Sequence, residues 1–353
     1  MRDASLKFFK TLLSTPGPSG YEAAVAEVWR EEARSFADEV RGDRMGNSFA
    51  TVGKGGTPRV MLSGHIDEIG LIVTHIDEKG LLYFKGVGGW DSQVLVGQRV
   101  KVQTANGEVP GVIGKKAIHL MSVEERKKVS QIKDLWIDVG AKDGEEAKGL
   151  VRIGDVAVLD QDVLELPNGR IASRSIDNRM GAFVVLEALR LLSEEEDLNA
   201  EVIASASVQE EIGLNGARGA AFGLDPDAAI AVDVTHATDT PGISKSENGD
   251  HAFGSGPVIT RGSTLSPLVT GGLIETAERE GIPHTLEADA NRTGTDADAI
   301  HLSRAGIATA VVSCPNRYMH SPSEMVQLDD VENCARLIAA YVKSLPKDAD
   351  FVR

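Results

Sequence analysis

The spacing of apolar residues predicts a short helix over residues 6–13, closed by Thr15-Pro16-Gly17-Pro18-Ser19-Gly20, whose prolines and glycines cannot continue it. A second helix is predicted from about Tyr21. Val25, Val28 and Trp29, with Ala24 and Ala33, recur there at helical spacing among Glu and Arg. After a turn at Arg41-Gly42-Asp43, short β-like runs lead to an apolar strand over 59–63. That strand runs directly into Gly64-His65-Ile66-Asp67-Glu68.

From about Gly70 to Leu164 the texture changes. Short runs rich in Val, Ile and Leu, at 71–76, 81–84, 94–102, 111–113, 135–139 and 155–159, are separated by glycine-bearing turns. This pattern predicts a small β-rich module, helical only at 122–129 and 144–148. After the turn dipeptide Asn168-Gly169, strands and helices alternate. Helices are predicted over 180–192, 268–280, 296–304 and 329–345, and strands over 202–208, 228–232, 284–286 and 308–313. Ser175 or Asp177 stands where the N-cap of the first of these helices belongs. The expectation is an α/β protein, an αβα sandwich with a mixed, mostly parallel central sheet. Residues 1–68 and 165–353 would form it, with a β-rich insertion over 69–164.

Composition narrows the partners. A chain of 353 residues exceeds the size, roughly 250–300 residues, at which a single core stops growing. The 53 Asp and Glu against 37 Lys and Arg give a net charge of −16, which excludes a basic nucleic-acid-binding protein. No window approaches the roughly 18–20 apolar residues of a membrane span, and residues 1–10 have the mixed character of an amphipathic segment, not of a signal peptide. Cys314 and Cys334 form no C-x-x-C pair, so two reduced thiols in a cytoplasmic protein are expected.

The chemistry lies beyond the strands. The strand at 59–63 ends at His65 and Asp67, the strand at 202–208 at Glu210 and Glu211, and the strand at 228–232 at Asp233. The strand at 308–313 leads through a loop to His320, and Asp177 opens a helix. Sites in open α/β sheets form outside the carboxyl ends of the strands, so these residues can converge in one cleft. Two imidazoles and several carboxylates, without thiolates, suit zinc, cobalt or manganese. The carboxylates exceed the needs of one tetrahedral ion. Two ions bridged by one carboxylate, activating a shared hydroxide, are the natural solution, and the reaction class is metal-assisted hydrolysis.

Seven stretches, in order along nearly the whole chain, carry a family resemblance: GHIDEIGLIVTHIDEKG from Gly64, GGWDSQVLVGQRV from Gly88, SIDNRMG from Ser175, QEEIGLNGA from Gln209, AVDVTHA from Ala231, GTDADAIHLSRAG from Gly294 and RYMHSPSE from Arg317. In these the sequence resembles the tetrahedral (TET), glutamyl aminopeptidase-like co-catalytic metallopeptidases of the cytoplasm. The resemblance implies an aminopeptidase acting on short peptides with two divalent ions per subunit, zinc or cobalt. His65, Asp177 and Asp233 would hold one ion, and Glu211, His320 and the shared Asp177 the other. Glu210 would be the general base, and Asp67 would fix the tautomer of His65 through its outer nitrogen. The inserted module would be a PDZ-like dimerisation domain, and dimers would assemble into a hollow dodecamer.

Singly, these residues have plainer readings. Asp177 can be only a helix N-cap, and Glu210-Glu211 a solvated turn like Glu194-Glu195-Glu196. The weight lies in the set. His75, His119, His236, His251, His284 and His301 are read as structural or surface residues, His236 least securely because it follows Asp233 by three. Gly88-Gly89-Trp90-Asp91 is read as a β-turn with no helix after it, since no Walker-type Lys-Ser/Thr follows. The run 124–128 is read as a solvated helix or loop. Arg292, just before the GTDA stretch, is a candidate partner for an acidic substrate side chain. Otherwise it faces solvent or a neighbouring subunit. Two rival functions remain at this point, a metallohydrolase of a non-peptide amide or glycoside and a non-catalytic assembly protein of the same fold. The usual glycosidase pair of carboxylates needs no metal, which disfavours the glycoside.

Overall fold

A computed structural model describes residues 1–353. Eight strands form the central sheet. Their spatial order is Glu39–Gly42, Ser48–Val52, Glu201–Ser207, Arg59–His65, Ala228–His236, Ala308–Asn316, Val258–Gly262 and Thr285–Asp289. The four strands from Glu201–Ser207 to Ala308–Asn316 are mutually parallel, and the antiparallel pairings lie towards the edges. The central strands are buried on both faces, as parallel strands between helical layers must be. Val60 and Leu62 point into the larger core, with the helices Asp3–Ser14, Ala23–Ala33, Ile176–Ser193, Pro267–Glu280 and Leu328–Lys343. Met61, between them, points into the smaller core, with Asn215–Leu224 and Ile300. The α/β expectation therefore holds, as a three-layer sandwich.

Two glycines let the layers approach at the point that matters for the site. A Cβ on Gly64 would lie 2.4 Å from the Gly181 carbonyl carbon, and one on Gly181 would lie 2.5 Å from the Val232 oxygen. The helix Ile176–Ser193 therefore presses directly onto the strands that carry His65 and Asp233. Its start differs from the predicted cap. Ser175 has a left-handed backbone and donates its hydroxyl to the Leu13 oxygen, and Asp177 and Asn178 are non-helical. Asn178 does the capping. Its Oδ1 accepts from Gly181 N at 2.8 Å while its Nδ2 donates to Val232 O at 2.7 Å, which leaves the Asp177 carboxylate free for other work.

Between the strands Arg59–His65 and Leu164–Leu166 lies a closed six-stranded barrel. Its strands, in spatial order, are Gly70–Ile76, Leu81–Val87, Leu135–Asp138, Gly107–Lys115, Arg99–Thr104 and Val156–Leu159. It has a core of its own, including Leu71, Leu82, Val100 and Ile137. Helix is shorter here than the run 122–129 suggested, one turn at Val123–Arg126, but Gly144–Leu150 is as expected. Asp91 corrects the β-turn reading. Its side chain accepts from Gln93 N and caps the one-turn helix Ser92–Leu95. The helix Asn215–Leu224 and the strands Val258–Gly262 and Glu324–Gln327 are further elements beyond those the pattern predicts. Both cysteines are buried free thiols, and no helix is long and apolar enough to cross a membrane.

Candidate metal centre

Five strand ends and loops bring the expected residues to one cleft, a cavity of about 370 Å³ lined by His65, Asp177, Glu210, Glu211, Asp233 and His320 among others. The geometry centres on Asp177. Its Oδ1 lies 3.3 Å from His65 Nε2, and its Oδ2 lies 3.3 Å from His320 Nε2. One carboxylate thus offers one oxygen to each imidazole. Glu210 Oε2 lies 3.6 Å from His65 Nε2, and Glu211 Oε1 lies 3.4 Å from His320 Nε2. Adjacent residues 210 and 211 so divide between the two histidines, as side chains leaving a strand in different directions can. Ligand atoms of His65, Asp177 and Asp233 all lie within 4.8 Å of one another, as do those of Asp177, Glu211 and His320, and those of His65, Glu210 and Glu211.

The acid-rich turn is held from below by two buried carboxylates. Asp67 accepts from Glu210 N at 3.1 Å, Glu211 N at 3.2 Å and Ser19 Oγ at 2.5 Å. Glu22 accepts from Gln209 N at 3.1 Å. Asp67 does stand near the outer nitrogen of His65, with Nδ1 3.3 Å from its main-chain oxygen and 3.4 Å from its Oδ1. Its contacts with Glu210 N and Glu211 N are shorter than either of these and fix the turn that carries Glu210. A third acid, Glu324, is 2 % exposed and accepts from Asp177 N at 2.9 Å and His320 N at 2.8 Å, tying the main chains of two candidate ligands together. Gly88 and Gly89 reach the site from the barrel, and the Gly89 oxygen lies against His320. Nothing in the sequence pattern assigns a role to Glu22, Glu324 or Gly89. Glu324 lies within the quoted stretch RYMHSPSE, but a lone acid four residues after a histidine carries no signal of burial.

Protonation follows from crowding. Burial opposes a charge on His65, yet the Glu210, Asp177 and Asp67 carboxylates outweigh it and hold its pKa well above the ordinary value. Hydrogen bonds that His320 donates to the Asp177 and Glu211 carboxylates raise it to about 11. Burial, reinforced by Asp233, Asp296 and Glu211 against the pull of His65, raises Glu210 to about 10. Asp177 behaves oppositely. Burial works against its charge, but His320 and His65 bring its pKa below the ordinary carboxylate range. Protons here stand in for cations, and a bound divalent ion inverts this logic. The donor set of imidazole nitrogens and carboxylate oxygens, with one carboxylate facing both imidazoles, fits two divalent ions.

Of the two readings of Arg292, the geometry favours the one that faces away from the cleft. Arg292 is exposed, and the cleft wall at this stretch is made by Thr293, Gly294 and Thr295. Asp298 accepts from Thr293 N at 3.0 Å and Gly294 N at 3.1 Å, which folds the 291–294 turn with Arg292 outside the lining. Of the histidines set aside, His251 is buried against Thr285, while His236 does line the cleft.

A family model described as M42 glutamyl aminopeptidase matches residues 46–337. The lysyl aminopeptidase of Pyrococcus furiosus is 37% identical over 349 residues, 98% of each chain. The crystal structure of a TET aminopeptidase from the marine sediment archaeon Thaumarchaeota archaeon SCGC AB-539-E09 superposes with a TM-score of 0.93 at 38% identity, covering 97% of both chains. The TET1 peptidase of Pyrococcus horikoshii, described as able to assemble into a tetrahedron or a large octahedral shell, superposes with a TM-score of 0.86 at 34% identity, over 97% of this chain and all of that one.

Proposed function

This chain belongs to the M42 glutamyl aminopeptidase family, and from that premise we propose that it is a dinuclear metallo-aminopeptidase that shortens peptides from the N-terminus. The observation that carries the proposal is the Asp177 carboxylate facing His65 with one oxygen and His320 with the other. His65, Asp177 and Asp233 would hold one ion, and Asp177, Glu211 and His320 the second. Zinc or cobalt suits these donors. Bound there, the two ions would polarise the scissile carbonyl and lower the pKa of a water to near neutrality.

The chain's own residues do the rest. Glu210 is left over once each ion has three protein ligands, and its carboxylate receives the proton of the attacking water and returns it to the leaving amine. Asp67 fixes the turn from which Glu210 projects. Gly89 and Glu324 orient His320 from the side-chain and main-chain ends respectively. Self-association into a dodecamer or a related shell is the assembly we infer from the described assemblies of TET1, with the inserted barrel as the dimerising element. Two reduced, buried thiols suit a cytoplasmic location.

Hydrolysis of aminoacyl p-nitroanilides, with and without a chelator, tests this reading. Activity lost on chelation and restored by zinc or cobalt is expected. Metal-independent cleavage, or cleavage of glycosides in place of anilides, would overturn it.

A further inference from the structure

The cleft extends from the candidate metal ligands to Glu287 and Asp289, on the strand Thr285–Asp289. These two acids are half-buried and share one face of that strand, while Leu286 and Ala288 are exposed on the other. Glu287 is held in place by two hydroxyls. Thr235 Oγ1 donates to its Oε1 at 3.0 Å and Thr260 Oγ1 to its Oε2 at 3.4 Å. Thr235 follows Asp233 by two residues on one strand, so it lies on the same face, about 6.6 Å further along. Glu287 therefore sits one side chain beyond the metal-binding end of the cleft.

Charge is unbalanced there. Two divalent ions would offset Asp177, Glu210, Glu211 and Asp233, and they would leave Glu287 and Asp289 unmatched. Neither forms an ion pair with a basic side chain, and the cleft is lined by no Lys or Arg. Burial, with repulsion from Asp298, pushes the Asp289 carboxyl up from its ordinary value. A leucyl side chain in this position would desolvate two carboxylates without giving them a partner, and a glutamyl side chain would add a like charge. A lysyl stem ends in an ammonium with three donors, and an arginyl one in a planar fork that matches a carboxylate.

We propose that Glu287 and Asp289 form the side-chain pocket of this cleft and select peptides whose N-terminal residue is basic, Lys or Arg. The inference rests on the aminopeptidase reading above. The α-ammonium is common to all peptide substrates and sets no preference, so the comparison that isolates the pocket is Lys against norleucine, which has the same stem without the charge.

The experiment measures kcat/KM of the metal-loaded protein on Lys, Arg, norleucine, Leu and Glu p-nitroanilides. Lys and Arg should exceed norleucine about ten- to a hundredfold, the range of one charge-assisted contact, and Glu should be poorest. Glu287→Gln and Asp289→Asn should bring the Lys-to-norleucine ratio down towards one, while Arg292→Ala should leave it as it is. Calorimetric binding of lysinamide and norleucinamide to the Glu210→Gln protein, with and without Glu287→Gln, reads the same preference without turnover. A wild-type ratio near one, or equal losses on every substrate in both pocket variants, would overturn the pocket. If no anilide is cleaved, the aminopeptidase reading fails, and the calorimetric ratio still decides on the pocket.

Discussion

The Nδ1 atom of His320 lies 2.9 Å from the main-chain oxygen of Gly89, 231 residues away in sequence. A carbonyl can only accept, so Nδ1 keeps its hydrogen, and Nε2 is the nitrogen left to bind an ion once its own proton is displaced. The inserted barrel thereby sets the tautomer of a candidate ligand that the α/β layers supply. The same loop presses on Glu211. Gly88 has φ of 77°, and a Cβ there would lie 2.6 Å from Ile69 Cγ2 and 3.3 Å from Glu211 Cβ. Gly88→Ala should therefore lower metal affinity about ten- to a hundredfold, the usual effect of disturbing the groups that orient ligands. Chelator competition measures it, and an unchanged affinity would show that the loop does not constrain Glu211.

Removing residues 69–164 should give small, poorly active species in which the α/β layers still fold. With Gly89 gone, the loss should extend to metal content as well as to assembly. Light scattering and elemental analysis on one preparation separate the two effects. A large oligomer of unchanged size would show that the barrel has no part in assembly.

Much of this was legible because parallel strands between helical layers are continuous apolar runs whose carboxyl ends gather chemistry. His65, Glu210, Glu211 and Asp233 each follow such a run. What stayed hidden were contacts made by the main chain or by acids far away in sequence. Gly89 acts through its carbonyl, which no side-chain pattern announces. Glu324 is indistinguishable in sequence from a surface acid until the chain folds it under Asp177 and His320. The strand Val258–Gly262 has only five residues and two of them are Arg and Gly, so its period is too short to read. The direction of Arg292 was hidden for a local reason. The side chain of Asp298, six residues on, decides which way its turn folds.

Asp177→Ala should lose both ions, because its two oxygens face different imidazoles. Elemental analysis of the dialysed protein checks it. Retention of one full equivalent would mean that the second group of ligands holds its ion without the shared carboxylate.

Glu210→Gln and Glu211→Gln should behave differently although they are neighbours. The first should keep metal and lose about 10²- to 10⁴-fold in kcat, the contribution of a positioned general base. The second should lose metal occupancy, and with it activity that excess metal partly restores. The same metal content and the same kcat in both variants would refute the division of roles.

The last prediction concerns pH. In the metal-free protein His320 is held protonated to about 11 and Glu210 to about 10, and His65 also titrates well above its ordinary value. Both numbers exceed the unfolded values, 6.5 for the histidine and 4.5 for the carboxyl. The stability that His320 contributes is therefore complete below about 6.5 and declines as pH rises towards 11. A neutral Glu210 has the same sign, with stability complete below about 4.5 and declining towards 10. Asp177 has the opposite sign, but its lowered pKa places its titration below 3.8, outside the working range. Between pH 6 and 8.5 the metal-free protein should thus become less stable. Metal binding must displace the imidazole protons, so affinity rises over the same interval. The gap in Tm between metal-loaded and chelated protein should accordingly widen from pH 6 to pH 8.5. Scanning calorimetry in matched buffers reads it directly, and a gap that stayed constant or narrowed would mean that these protons are not the ones the ions replace.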